Sequence, residues 1–187
     1  YNSYYGDGDW KSLFISNKPI ETEIETEKNI TYYKSSFDES GNFIDGFDWL
    51  SYRNAAEVTR RTSALGYLNI VISNQPDVAR GYLDETVLQE MTSLLLDELT
   101  IDDVLYCVHD DPDLCSCRKP APGLFIHAVD KWKLNVQDCF MIGDTWKDVE
   151  AARNANITSL LLDRIYNMES TNSNRITSLK DIFAYIG

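Results

Sequence analysis

From about residue 48 onward, apolar and polar positions alternate between two rhythms, one of helices and one of buried strands. Trp49 to Ala64 reads as a helix, with Gly66 placed to stop it. Tyr67-Leu68-Asn69-Ile70-Val71-Ile72-Ser73 reads as a buried strand. Asp84 is a capping residue for a helix whose Val87, Leu88, Met91, Leu95 and Leu99 share one face. Val104 to Cys107 is a short strand, Gly123 to Trp132 a helix with Leu124, Phe125, Ala128 and Trp132 inward, and Cys139 to Gly143 a strand. Trp146 to Ala155 is a helix, Ile157 to Leu162 a strand, and Leu179 to Ile186 a closing helix. Apolar strands alternating with helices predict an α/β fold with a central parallel sheet covered on both faces.

Residues 1 to about 47 follow a different pattern, rich in Tyr, Asn, Ser, Glu and Thr. Ser12 to Ser16 reads as a short strand, and Ile20 to Phe47 as extended structure. Asp38-Glu39-Ser40-Gly41-Asn42 is a turn sequence between Tyr32–Phe37 and Phe43–Phe47, which predicts a β-hairpin. The acidic positions from Glu21 to Glu27 read as a solvated face. The expected organisation is a single domain over 1–187, with 1–47 as first strand and hairpin segment and 48–187 as the α/β core. A start at Tyr1 rather than Met fits a trimmed or excised piece; a larger parent chain or a protein partner is a separate expectation.

A chain of 187 residues can bury a real core. A net charge of −13 argues against a nucleic-acid partner, because phosphate backbones are bound through clustered Lys and Arg. No apolar run approaches a membrane span and no signal peptide is visible, so a cytoplasmic protein is expected.

The densest chemistry lies in Cys107-Val108-His109 and Cys115-Ser116-Cys117-Arg118-Lys119-Pro120. Three of the four cysteines and one of the two histidines fall there. Thiolates and an imidazole at this spacing predict a closed, four-ligand zinc site, and the uneven clustering favours metal over a disulfide framework. The loop ends in two cations, Arg118 and Lys119. Cys139, before a buried strand, reads as core, and His127, on a predicted helix, as structural.

Ser73-Asn74-Gln75 ends one predicted strand and Gly143-Asp144-Thr145-Trp146-Lys147-Asp148 ends another, with Arg118-Lys119 between them in sequence. In a parallel sheet all three converge on the carboxyl edge, where ligands bind. A hydroxyl, a lysine and two carboxylates suit a phosphate and a magnesium ion: carboxylate oxygens hold the hard cation, and the lysine and hydroxyl answer phosphoryl oxygens.

These segments carry a resemblance. Ile70 to Gly81 resembles motif II of the haloacid dehalogenase (HAD) superfamily. Cys115 to Gly123 resembles the zinc-loop and motif III segment of heptose 1,7-bisphosphate phosphatases, which histidinol-phosphate phosphatases share in similar form. Phe140 to Ala152 resembles motif IV. The ordered set spans roughly residues 49 to 163. The resemblance implies a HAD-like three-layer sandwich with a small β-hairpin flap and a zinc loop, and a magnesium-dependent phosphatase of a small phosphorylated metabolite such as a sugar phosphate. It implies that Ser73 and Lys119 bind the phosphoryl group and that Asp144 ligates magnesium. It implies that Asp148 orients Lys119 or a magnesium-bound water, Arg118 contacts substrate and Asn74 lines the pocket. The zinc, on Cys107, His109, Cys115 and Cys117, would be structural.

The family's motif I, D-x-D-x-[TV] after the first strand, supplies the nucleophile and the general acid/base. No good copy is present. Strand context points to Leu13-Phe14-Ile15-Ser16-Asn17-Lys18, which puts Ser16 and Lys18 where the carboxylates belong. Distance to motif II points to Phe37-Asp38-Glu39-Ser40-Gly41. Asp7-Gly8-Asp9 has the D-x-D spacing without a preceding strand. Two expectations follow: an active phosphatase, or a relative that binds a ligand or partner without turning it over. A residue such as Ser16 at the nucleophile position favours the second.

Overall fold

The computed structural model of the chain describes residues 13–17, 49–168 and 174–186. Its strands are β1 (Leu13–Asn17), β2 (Tyr67–Asn74), β3 (Asp103–Cys107), β4 (Cys139–Gly143), β5 (Thr158–Leu162) and β6 (Arg175–Ile176). Its helices are α1 (Trp49–Ala64), α2 (Pro76–Ala79), α3 (Glu85–Glu98), α4 (Gly123–Trp132) and α5 (Trp146–Asn154). Among the described residues the strands form one sheet in the order β3-β2-β1-β4-β5-β6.

Alternation along the strands sends successive side chains into two cores. Phe14, Leu68, Ile70, Ile72 and Met141 pack against Leu124, Phe125 and Ala128 of α4 and Ala151 and Ala152 of α5. Phe14 meets Phe125 edge-on, with ring centroids 5.6 Å apart. On the opposite face Leu13, Ile15, Ile142, Leu160, Leu162 and Ile176 pack against Val58 of α1 and against Ile182 and Ile186. The result is the expected three-layer α/β arrangement.

The sheet is mixed, where a parallel one was expected. β2–β3, β4–β5 and β5–β6 are parallel, but central β1 runs antiparallel to both β2 and β4. Period-two alternation reads the same in both directions, so the pattern assigns the faces of Leu13, Phe14 and Ile15 but not the strand's direction. The reversal decides where Ser16 lies. Ser16 stands opposite Leu68 and Cys139, at the amino ends of β2 and β4. That is five residues from Ser73, about 17 Å along a strand at roughly 3.3 Å per residue. The reading that puts Ser16 in the nucleophile position is therefore corrected: β1 enters the sheet at the carboxyl edge and leaves it at the amino edge. Asp38, Asp7-Gly8-Asp9, Lys18 and the hairpin of Tyr32–Phe37 with Phe43–Phe47 lie outside the described residues.

Other boundaries follow local chemistry. The chain leaves α1 through Gly66 at φ +87°, a left-handed turn that glycine adopts without Cβ strain. The Asp84 side chain accepts from the Thr86 amide at 2.8 Å and caps α3. Leu88 is buried on α3, but Val87 is exposed and not on the inner face. The C-terminal segment is a 3-10 helix, Leu179–Ala184, in place of an α-helix. Its Asp181 carboxylate accepts from the amides of Thr177 and Ser178 and so tightens the first turn. No described helix is long and apolar enough to cross a membrane.

Candidate active site and metal centre

β3 ends at Cys107, and the chain then turns back on itself. Asp110 accepts from the Asp111 amide and Asp113 accepts from the Asp110 amide, both at 2.8 Å, closing a 3-10 turn over Asp111–Asp113. Leu114 follows in a left-handed conformation at φ +47°. This reversal returns Cys115 and Cys117 to Cys107. The Cys107 Sγ lies 3.5 Å from Cys115 Sγ and 2.9 Å from Cys117 Sγ, and His109 Nδ1 lies 3.2 Å from Cys117 Sγ. All four ligand atoms fall within 4.8 Å of one another, and none of the cysteines is in a disulfide.

Zinc–sulfur bonds of about 2.3 Å at tetrahedral angles set ligand atoms about 3.8 Å apart. Three thiols and an imidazole at this separation are a donor set that fits zinc. Burial, then the hydrogen bond with Cys117, pushes the Cys107 thiol above its usual value. A divalent cation at the centre would reverse that, since coordination deprotonates thiols. Cys139 stands apart in the core, its Sγ 3.2 Å from the Asn135 carbonyl, as expected. His127 is exposed on α4.

Cations pin the loop from outside. Arg80 grips Asp110 with two bonds, Nε to Oδ2 at 2.7 Å and an Nη to Oδ1 at 2.8 Å. The Arg80 guanidinium holds the Asp110 carboxyl below the usual range. Arg118 is 7% exposed and donates from Nε to Asp111 at 2.7 Å, with Asp110 3.7 Å away. Its guanidinium thus engages the loop's own carboxylates. Where the loop meets α4, a Cβ on Gly123 would lie 2.2 Å from the Ser116 carbonyl oxygen. Gly123→Ala must therefore push the loop off the helix. We expect a stability loss of about 1–3 kcal/mol, read by denaturant unfolding, with faster metal loss to a chelator.

Lys119, next after Arg118, reaches the carboxyl edge of the sheet. Asn74, at the end of β2, accepts from the Lys119 amide at 3.0 Å and donates to the Lys119 carbonyl at 3.1 Å. This reciprocal pair locks the Lys119 backbone against the strand end, beside a cis Lys119–Pro120 peptide. The Lys119 side chain is fully buried. Its Nζ donates to the Ile72 carbonyl at 3.0 Å and to Asp148 Oδ1 at 2.7 Å. Asp148, also fully buried, accepts at Oδ2 from the amide and hydroxyl of Thr145, at 3.0 and 2.6 Å, capping α5. The strand end must be thin to admit this carboxylate: a Cβ on Gly143 would lie 2.5 Å from Asp148 Cβ.

Ser73 is buried, and its Oγ accepts from Gln75 Nε2 at 2.9 Å. Asp144, 1% exposed at the end of β4, takes the Tyr166 hydroxyl on Oδ2, while its backbone carbonyl accepts from Asn167 Nδ2 at 2.8 Å. The fold thus brings Ser73, Asn74, Lys119, Asp144 and Asp148 to one edge of the sheet, and Arg118 to the neighbouring loop. A carboxylate at that edge fits magnesium, which takes one or two carboxylates and completes its shell with phosphate and water oxygens. Sequence reasoning placed Gln75 at the strand end and Arg80 in the Ile70–Gly81 segment without giving either a role, and missed Tyr166 and Asn167. The signal available for Tyr166 and Asn167 was position alone, just past a strand end on the ligand-binding edge.

Comparison with known proteins agrees with this architecture. Residues 116–166 match the HAD-hydrolase-like family. A D-glycero-alpha-D-manno-heptose-1,7-bisphosphate 7-phosphatase of Campylobacter jejuni is 28% identical over 180 residues, covering 94% of this chain and 95% of that protein. A D-glycero-beta-D-manno-heptose-1,7-bisphosphate 7-phosphatase of Helicobacter pylori is 31% identical over 159 residues, 81% of this chain and 83% of its own length. The crystal structure of a D,D-heptose 1,7-bisphosphate phosphatase from B. bronchiseptica, complexed with magnesium and phosphate, superposes with a TM-score of 0.60 at 20% identity, over 73% of this chain and 80% of that one. That last likeness is one of fold.

Proposed function

The chain belongs to the heptose-bisphosphate phosphatase family of HAD-like hydrolases, and from that membership we propose that it is a magnesium-dependent phosphatase of a small phosphorylated sugar. The observation that carries the proposal is the buried Lys119, held between the Ile72 carbonyl and Asp148 with its backbone locked to Asn74.

In this reading Lys119 offers a fixed positive charge to the phosphoryl oxygens. Ser73 adds its hydroxyl proton; because Gln75 donates to the Ser73 oxygen, the serine's own hydrogen is directed elsewhere, toward ligand. Asp148 holds the lysine in place through a buried ion pair. Asp144 would hold magnesium, which when bound supplies charge to the phosphoryl oxygens as they are transferred. Arg118, tied to Asp111 and Asp110, stiffens the zinc loop that aims Lys119, and the zinc on Cys107, His109, Cys115 and Cys117 is structural. A heptose bisphosphate-like substrate is the specific form of the proposal, supported by the names of the relatives.

The test is phosphate release from a panel of sugar mono- and bisphosphates with magnesium, beside Asp144→Asn. Turnover that disappears in Asp144→Asn is the expected result. Lys119→Ala should weaken binding of inorganic phosphate with magnesium about 10- to 150-fold, the equivalent of about 1.5–3 kcal/mol for a buried charge-assisted contact. Equal calorimetric binding in the two folded proteins would mean the anion sits elsewhere.

One observation favours a second reading, a ligand-binding relative without turnover. β1, Leu-Phe-Ile-Ser-Asn, contains no carboxylate and runs away from the carboxyl edge. Hydrolysis by the family's chemistry then needs a nucleophile from residues outside those described. Phosphate binding with magnesium but no release from any substrate in the panel would select this reading.

A further inference from the structure

The 3-10 turn after β5 is built more firmly than a surface connection needs to be. It spans Ile165–Asn167. Asn167 is 9% exposed, and its Nδ2 donates both to the Leu162 carbonyl and to the Asp144 carbonyl, each at 2.8 Å. Its Oδ1 accepts from the Arg164 amide at 3.0 Å and from Arg175 at 3.1 Å. Arg175, on β6, is itself paired with Asp163 at 2.7 Å. The turn is therefore tied to the ends of β4, β5 and β6 together. What it presents is Tyr166, a residue 63% exposed whose hydroxyl nevertheless donates to the buried Asp144 carboxylate.

An exposed tyrosine gains little by packing, and its hydroxyl is satisfied by water at no cost. A phenol directed inward onto a carboxylate, from a turn anchored on that same residue's carbonyl, has a positional use. We propose that Tyr166 is a positioning residue for Asp144, fixing the carboxylate so that its oxygens meet a divalent cation without reorganisation. The inference rests on the reading of Asp144 as the magnesium ligand. The physical basis is the hydrogen bond from outside the coordination shell: a donor on one carboxylate oxygen sets the plane and orientation of the other, and loss of such partners typically lowers metal affinity about 10- to 100-fold.

The test is magnesium affinity by calorimetry, with manganese binding by electron paramagnetic resonance as a second probe, on wild type, Tyr166→Phe, Tyr166→Ala and Asp144→Asn. Tyr166→Phe keeps the ring and removes only the hydroxyl. The expected result is a loss of about 10-fold or more in metal affinity in Tyr166→Phe, matched by Tyr166→Ala. A Tyr166→Phe protein that binds like wild type, whether or not Tyr166→Ala is impaired, overturns the inference, because the ring alone would then account for the residue. Tighter binding in Tyr166→Phe also overturns it and makes the phenol a competitor of the cation. The two readings fail differently: if wild type and Asp144→Asn bind metal equally, the magnesium assignment itself falls and this inference with it. If Asp144→Asn loses the metal and Tyr166→Phe does not, only the role of Tyr166 falls.

Discussion

Asp148→Ala is expected to destabilise the protein by about 3–5 kcal/mol, because it leaves the Lys119 ammonium buried without its counter-charge. Both side chains are fully buried and 2.7 Å apart, so water cannot replace the lost carboxylate without opening the sheet edge. The same substitution removes the acceptor for the Thr145 amide and hydroxyl, uncapping α5. A loss of that size is a large part of the 5–15 kcal/mol that typically holds a domain together, and corresponds to a fall in Tm of about 6–20 °C for a chain of this length. Asp148→Asn, which retains hydrogen-bonding capacity but not charge, should fall between. The double variant Lys119→Met with Asp148→Leu should recover much of the stability while losing phosphate binding, since the penalty comes from the orphaned charge and not from the absence of a pair. Chemical denaturation of the four proteins measures this. A loss under about 1 kcal/mol in Asp148→Ala would fit a solvent-exposed pair and contradict the burial on which the site is built.

Much of the core was legible because its signals are local and periodic. The bounds of α1, α4 and β4 are those expected from apolar spacing, and Asp84 caps α3 as its residue type predicts. The zinc-type cluster was legible because thiols and imidazole so close in sequence have few other uses, and the four side chains do converge. The direction of β1 was not legible, since alternation is the same read either way, and that symmetry is what made Ser16 look like an active-site residue. Val87 entered the inner face of α3 on polarity, yet one helical position away from Leu88 is enough to turn it outward. The substrate contact that the resemblance implies for Arg118 stands as a proposal; its ion pairs with Asp111 and Asp110 had no spacing in the sequence to announce them. Tyr166 and Asn167 were invisible because their meaning comes from a contact across more than twenty residues, with no spacing to announce it.

Removing metal from the cysteine loop should be the second large effect. The cluster ought to hold about one zinc per chain, since four protein ligands close a structural site. A ligand present at about 1,000 times its dissociation constant stabilises the folded state by about 4 kcal/mol, so chelation should lower Tm by about 8–16 °C. The loss should spread to the phosphate-like site. Cys117 is followed directly by Arg118 and Lys119, and Gly123 packs on Ser116, so a metal held by the four ligands would close the same loop that leads into the lysine. Cys115→Ser should behave like the chelated protein, losing both zinc and affinity for phosphate with magnesium, while Cys139→Ser, at a core cysteine outside the cluster, should keep its zinc. Elemental analysis beside thermal unfolding decides it. Less than a tenth of a zinc per folded chain would sink the assignment. Full zinc with no change in phosphate affinity on chelation would leave the metal site standing but sever it from Lys119, whose position would then rest on Asn74 and Asp148 alone.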